Sequence, residues 1–127
     1  TLIPPPMLSS RAVITATIIG TVLQLAMVIS GHSMPAVAEQ FAVGGMSISA
    51  IAGLIYAKLA APQTTGGAAV GGLVAGGVSA LIGIALSCYL GDVEPMILAM
   101  GTGSSAVAGL IGGVLGRFIF GASPAAA

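Results

Sequence analysis

Apolar residues along this chain fall in long unbroken runs, and short polar clusters separate them. Four runs stand out, at about 12–31, 35–57, 66–90 and 95–117. Ser9, Ser10 and Arg11 open the first, and Ser30-Gly31-His32-Ser33 close it. Pro35, a good first-turn residue, opens the second, which stops at Lys58 and Pro62. Gln63-Thr64-Thr65 precede the third, Gly91-Asp92-Val93-Glu94 follow it, and Pro95 begins the fourth. A helix needs about 20 apolar residues to cross ~30 Å of hydrocarbon, so each run is long enough to span a bilayer. Strands are a poor alternative, because in lipid they must close into a barrel of alternating segments of ~10 residues, and these runs are continuous. The pattern predicts an all-α integral membrane bundle of four transmembrane helices, a single domain over 1–127 with no room for a soluble one.

The second half of the chain repeats the first. Gly31-His32-Ser33-Met34-Pro35 and Gly91-Asp92-Val93-Glu94-Pro95 share a G-x-x-x-P pattern, and Ser49-Ala50-Ile51-Ala52-Gly53-Leu54-Ile55 resembles Ser105-Ala106-Val107-Ala108-Gly109-Leu110-Ile111. The two offsets differ by four residues, about one helical turn, which keeps the same helix face aligned. This reads as two tandem helical hairpins, about 10–61 and 64–121. Each hairpin has an even number of spans, so the copies would be related by an axis along the membrane normal rather than as an inverted repeat.

Composition strengthens the membrane assignment: 57% of residues are hydrophobic, 5% are charged and the mean hydropathy is +1.14, whereas a soluble domain carries about 25% charged residues. The only basic residues, Arg11, Lys58 and Arg117, are far apart, which excludes a nucleic-acid partner, since that needs clustered Lys and Arg. With four spans these three share one side, and His32, Glu39, Asp92 and Glu94 lie near the other. Basic residues are retained on the cytoplasmic side, so the reading places both termini in the cytoplasm, in a bacterial-type inner membrane. Ala36-Val37-Ala38 could imitate a signal-peptide cleavage site, but the apolar stretch before it exceeds the usual 7–15 residues. Cys88 is the single cysteine; it makes no intrachain disulfide and reads as a small buried apolar side chain.

Small residues recur at helical spacing in the last three spans. Gly45, Ser49 and Gly53, then Gly72, Gly76 and Gly83, then Gly101, Ser105, Gly109 and Gly112 are the candidate packing residues. Such faces let two backbones approach closely, within the bundle or between copies. The first span has only Gly20 among many Leu, Ile and Val, and is expected to face lipid or a partner. Gly101-Thr102-Gly103-Ser104-Ser105-Ala106 fits a loose dinucleotide fingerprint, but that motif needs a preceding strand and a water-facing turn, and helix packing is the better reading.

Gln24, His32, Glu39, Asp92 and Glu94 form the candidate polar site. A carboxylate just inside a span is costly unless it is paired or reaches water, which singles out Glu39. If the two G-x-x-x-P segments lie together, they gather one imidazole and three carboxylates, a set suited to a proton relay or a weak cation site; the plainer reading makes them headgroup-level residues. Gln24 must find an amide partner within the bundle. No nucleophile has a nearby base and no spacing matches a metal motif, so the chain is not expected to be an enzyme, and no cofactor or metal is expected. Trp is absent and Tyr56 and Tyr89 are the only tyrosines, a thin aromatic belt. The Leu2–Met7 segment, with three prolines, is a candidate strap along a partner or the interface. The expected function is a small non-catalytic accessory or structural subunit packed against a larger membrane assembly, partnered by lipid and by other subunits or itself. The alternative is a homo-oligomeric channel or small-solute or proton transporter.

Overall fold

The computed structural model describes residues 8–62 and 64–121, so the proline-rich 1–7 segment lies outside it. The described chain is all-helical: α1 (Ser10–Ser33), α2 (Pro35–Ala38), α3 (Phe41–Ala60), α4 (Thr65–Tyr89) and α5 (Pro95–Phe120). Among the described residues, α1, α3, α4 and α5 are long and apolar enough to cross a membrane, with mean hydropathy of 1.5 to 2.2 in their most apolar stretches.

Local chemistry sets the helix ends. Ser9 caps α1 by accepting a hydrogen bond from the Ala12 N–H at 3.3 Å, and Thr64 caps α4 by accepting one from the Gly67 N–H at 2.9 Å. Pro35 and Pro95 stand in the first turns of α2 and α5, where a missing N–H costs nothing. α3 stops at Ala61, a left-handed residue with φ of 45°, and Pro62 prevents further propagation.

The first inter-helix connection differs from the sequence expectation. α1 continues past Gly31 to Ser33, and the run from Pro35 is not one helix: it breaks at Glu39 and Gln40, and α3 begins at Phe41. The break leaves Glu39 and Gln40 exposed while the Phe41 ring drops onto α1, filling the place where a Cβ on Gly31 would be. Gly91, the matching glycine of the second G-x-x-x-P segment, instead sits in a turn with φ of 80°. The two similar segments therefore do different work, one as a socket and one as a turn.

Both α3 and α4 touch each other and both remaining long helices, whereas α1 and α5 occupy opposite corners. The α3–α4 diagonal closes because small residues line it and its junction with α5. A Cβ on Gly72 or on Gly53 would collide with the Gly109 carbonyl, one on Gly109 with the Gly72 carbonyl, and one on Gly112 with the Ala50 carbonyl. A Cβ on Gly76 would lie 3.0 Å from the Ser49 carbonyl oxygen and 3.1 Å from that of Ser105. Three backbones thus meet where side chains would normally stand, the close approach that gains dispersion in lipid without a hydrophobic driving force.

α1 is not the purely outward helix its Leu, Ile and Val content suggests. Its buried residues are Ala12, Ala16, Gly20, Gln24, Val28 and Gly31, nearly all at a spacing of four, and they seat against α3 and α4. At the end bearing all three cations, the Ser9 N–H donates to the Tyr56 hydroxyl at 3.2 Å, Arg117 Nε donates to the Pro62 carbonyl at 3.2 Å, and Lys58 Nζ sits 4.7 Å from the centre of the Phe120 ring. These contacts tie neighbouring helices together at the basic end.

Candidate functional site

Halfway along the bundle, polar side chains stitch three helices together. Gln24 on α1 donates through Nε2 to the Gly45 carbonyl at 3.0 Å and to Ser49 Oγ at 3.2 Å on α3. Ser49 Oγ in turn donates to the Gly76 carbonyl on α4 at 3.0 Å, and Ser79 Oγ donates to the same carbonyl at 3.1 Å. Gln24 is only 2% exposed, and Ser49 and Ser79 are fully buried. Burial of an amide in an apolar interior is tolerated because these partners exist. Gln24 uses only its nitrogen in them; among the described residues its Oε1 accepts no hydrogen bond.

Above this layer, toward the acidic end, the helices border a cavity of about 450 Å³. Gln24 and Met27 from α1, Glu39 from the break before α3, Phe41 and Met46 from α3, Ile84 and Ser87 from α4, and Asp92, Ile97, Met100 and Ser104 from the connection and α5 line it. Gln24 precedes His32 by eight positions, so the polar floor lies ~12 Å below that end at 1.5 Å per residue. Below the floor the bundle is closed by the Gly53, Gly72, Gly109 and Gly113 contacts. The molecule therefore has a vestibule in the half of the bundle toward the acidic end, with Met46, Ile97 and Met100 of its lining reaching the outer surface, and a glycine-packed wall toward the basic end.

The mouth carries the polar residues singled out from the sequence. His32 Nδ1 lies 2.9 Å from Asp92 Oδ2, an ion pair when the imidazole is protonated, and this joins the two G-x-x-x-P segments. Glu39 and Asp92 both line the cavity, and Glu39 has no side-chain partner among the described residues. Glu94 is exposed and stands aside; its carbonyl accepts the Cys88 thiol at 3.7 Å. His32, Glu39, Asp92 and Glu94 do not converge as metal ligands: no group of three or more His, Cys, Asp or Glu that could hold a metal ion exists among the described residues.

Of the small residues chosen by spacing, Gly45, Ser49, Gly53, Gly72, Gly76, Gly83, Ser105, Gly109 and Gly112 are buried, and Gly101 is partly buried against Ile84. Met27, Met46, Met100 and Tyr56 are packing or lining residues that the sequence does not single out, and Ser87, on the small-residue stripe of α4, is singled out only for packing. Ser87 is 2% exposed and its Oγ has no hydrogen-bond partner, although it lines the cavity. Met27, Met46 and Met100 form much of the apolar wall. Tyr56 is buried over Gly71, where a Cβ would collide with its ring. A four-residue spacing joins Ser87 to Gly83 and then Ser79, so its facing was readable, but its missing partner was not.

Against known proteins, no family model, no curated protein and no solved structure matches this chain.

Proposed function

We propose that this chain is a small non-catalytic integral membrane protein that admits a small molecule into the vestibule at its acidic end. The observation that carries the reading is the cavity of about 450 Å³ with a hydrogen-bonded polar floor and carboxylates at its mouth. Small-molecule sites are typically ~300–1,000 Å³, mostly apolar, with a few placed polar groups. This supports the transporter or channel alternative above the accessory-subunit one, with the vestibule as one half of a path and the glycine-packed wall as the closed half. The tandem-hairpin origin of the bundle fits this reading, since both G-x-x-x-P segments then lie at the mouth. Retention of Arg11, Lys58 and Arg117 in the cytoplasm would turn the vestibule to the opposite side.

The subunit reading draws on one surface. Ile14, Ile18, Val22 and Ile29 of α1 are each about 60% exposed, a ridge as suited to a partner helix as to lipid. Native mass spectrometry after gentle extraction from the source membrane separates the two. The vestibule reading expects the chain with a small molecule bound, lost when Ser104→Trp fills the cavity. A stoichiometric complex with unrelated chains and no retained small molecule would overturn it in favour of the subunit reading.

A further inference from the structure

We infer that the vestibule takes an amphipathic organic cation, an alkylammonium whose head sits at the mouth and whose apolar body lies along the methionine wall. The inference rests on the vestibule being a binding site and names what it binds.

Charge is the first argument. All three Asp and Glu side chains, Glu39, Asp92 and Glu94, lie at the vestibule end, and all three Lys and Arg residues lie at the other. Two of the carboxylates line the cavity itself. Among the described residues the only group there that can offset them is His32, which is committed to Asp92, so Glu39 is left with no ionic partner among those residues. An anionic head entering this mouth would meet like charge close to low-dielectric walls, where repulsion is strongest.

The second argument is independent of the acids. Ser87 lies directly beneath Asp92, whose N–H donates to the Ser87 carbonyl at 3.0 Å. Ser87 lines the cavity and is 2% exposed, and its buried hydroxyl oxygen has no hydrogen-bond partner among the described residues. A serine in a helix usually bonds back to its own backbone, as Ser104 does to the Met100 carbonyl at 2.9 Å. An unpaired buried hydroxyl costs about 1–3 kcal/mol, and a ligand N–H donor reaching it would remove that cost. An ammonium offers such donors, and both neighbouring carboxylates accept them.

The rest of the wall fits the apolar body. Met27, Met46 and Met100 are flexible and polarizable, and can adapt to an unbranched chain. At the floor, Gln24 Oε1 is a free acceptor for a water or for a hydroxyl at the far end of the ligand.

The methionines also supply the readout. The full chain, labelled with ¹³C-methyl methionine and reconstituted in nanodiscs, is titrated with octylammonium chloride, sodium octyl sulfate or 1-octanol, which share one tail. Octylammonium is expected to shift the Met27, Met46 and Met100 methyl signals saturably and to leave Met34 and Met96 unmoved, since those two lie outside the cavity. Octyl sulfate is expected to bind at least tenfold more weakly. Glu39→Gln, at an exposed position, should weaken octylammonium about tenfold, or ~1.4 kcal/mol, without changing octanol, and Ser87→Ala should weaken it about threefold. If octylammonium binds no tighter than octyl sulfate or octanol, or if Glu39→Gln leaves it unchanged, the cation assignment is overturned while the vestibule reading stands. If no probe moves the three methyl signals, both fall.

Discussion

At the scale of single residues, glycine acts in opposite ways in this molecule depending on what stands opposite it. A methyl on Gly72 or Gly109 would enter the backbone of the facing helix, and a backbone cannot rotate aside as a side chain can. Gly72→Ala and Gly109→Ala are each expected to lower stability by about 3 kcal/mol, the upper part of the range for overpacked cores. Gly103 sits two residues from Gly101 in the same glycine-rich segment, yet nothing lies within 4 Å of a Cβ built there. Gly103→Ala should therefore be neutral or stabilising by up to about 1 kcal/mol through helix propensity. Unfolding titrations in mixed micelles would rank the three variants, and equal losses at all three would remove the close-approach argument. Ala61 presents the reverse case, an L residue held at φ of 45°. Ala61→Gly should raise stability by about 1 kcal/mol, because the left-handed conformation costs glycine nothing; the same titration checks it. Ser49→Ala, which removes the hydroxyl linking Gln24 to the Gly76 carbonyl, should cost about 1 kcal/mol, in line with interhelical hydrogen bonds in lipid.

At the scale of helices, the break between α2 and α3 depends on a ring finding a socket. Phe41→Ala empties the place over Gly31, and hydrogen exchange of the amides from Glu39 to Gly45 is expected to quicken about tenfold, while exchange at the centre of α4 is unchanged. Unaltered exchange at the break would mean that Glu39 and Gln40 alone hold it. The same element shows where sequence reading ends. Runs of apolar residues make four spans visible, because hydrocarbon thickness imposes a length, and Ser9, Thr64, Pro35 and Pro95 mark helix starts within a residue or two. The break at Glu39 was not visible, since it is decided by a contact between Phe41 and Gly31 in another helix. Nor was the buried face of α1. Ala12, Ala16 and Gly20 do carry a four-residue period, but alanine is ambiguous between packing and lipid, and the larger Ile and Leu residues point to an outward face.

At the scale of the whole molecule, the distribution of small and large residues along the helix axes makes one end solid and the other hollow. Toward the basic end Gly53, Gly72, Gly109, Gly113 and Gly116 bring backbones together; toward the acidic end Met27, Met46, Ile84, Ile97 and Met100 hold them apart around a cavity. The polar mouth was legible as a set, because Gly31–Pro35 and Gly91–Pro95 are matching segments that must lie on one side in a four-span chain, and His32 and Asp92 do meet there. The cavity was not legible, because a void is a property of three-dimensional packing that no residue type announces.

Thiol accessibility distinguishes access from one face from access through both. In a Cys88→Ser background, single cysteines are placed at Ser104, which lines the vestibule, and at Ala108, which is buried below it. A membrane-impermeant thiol reagent is then applied to either face of oriented vesicles. S104C is expected to react rapidly from the acidic face only, and A108C from neither. Reaction of S104C from the basic face, or equal protection of both positions, would contradict one-sided access.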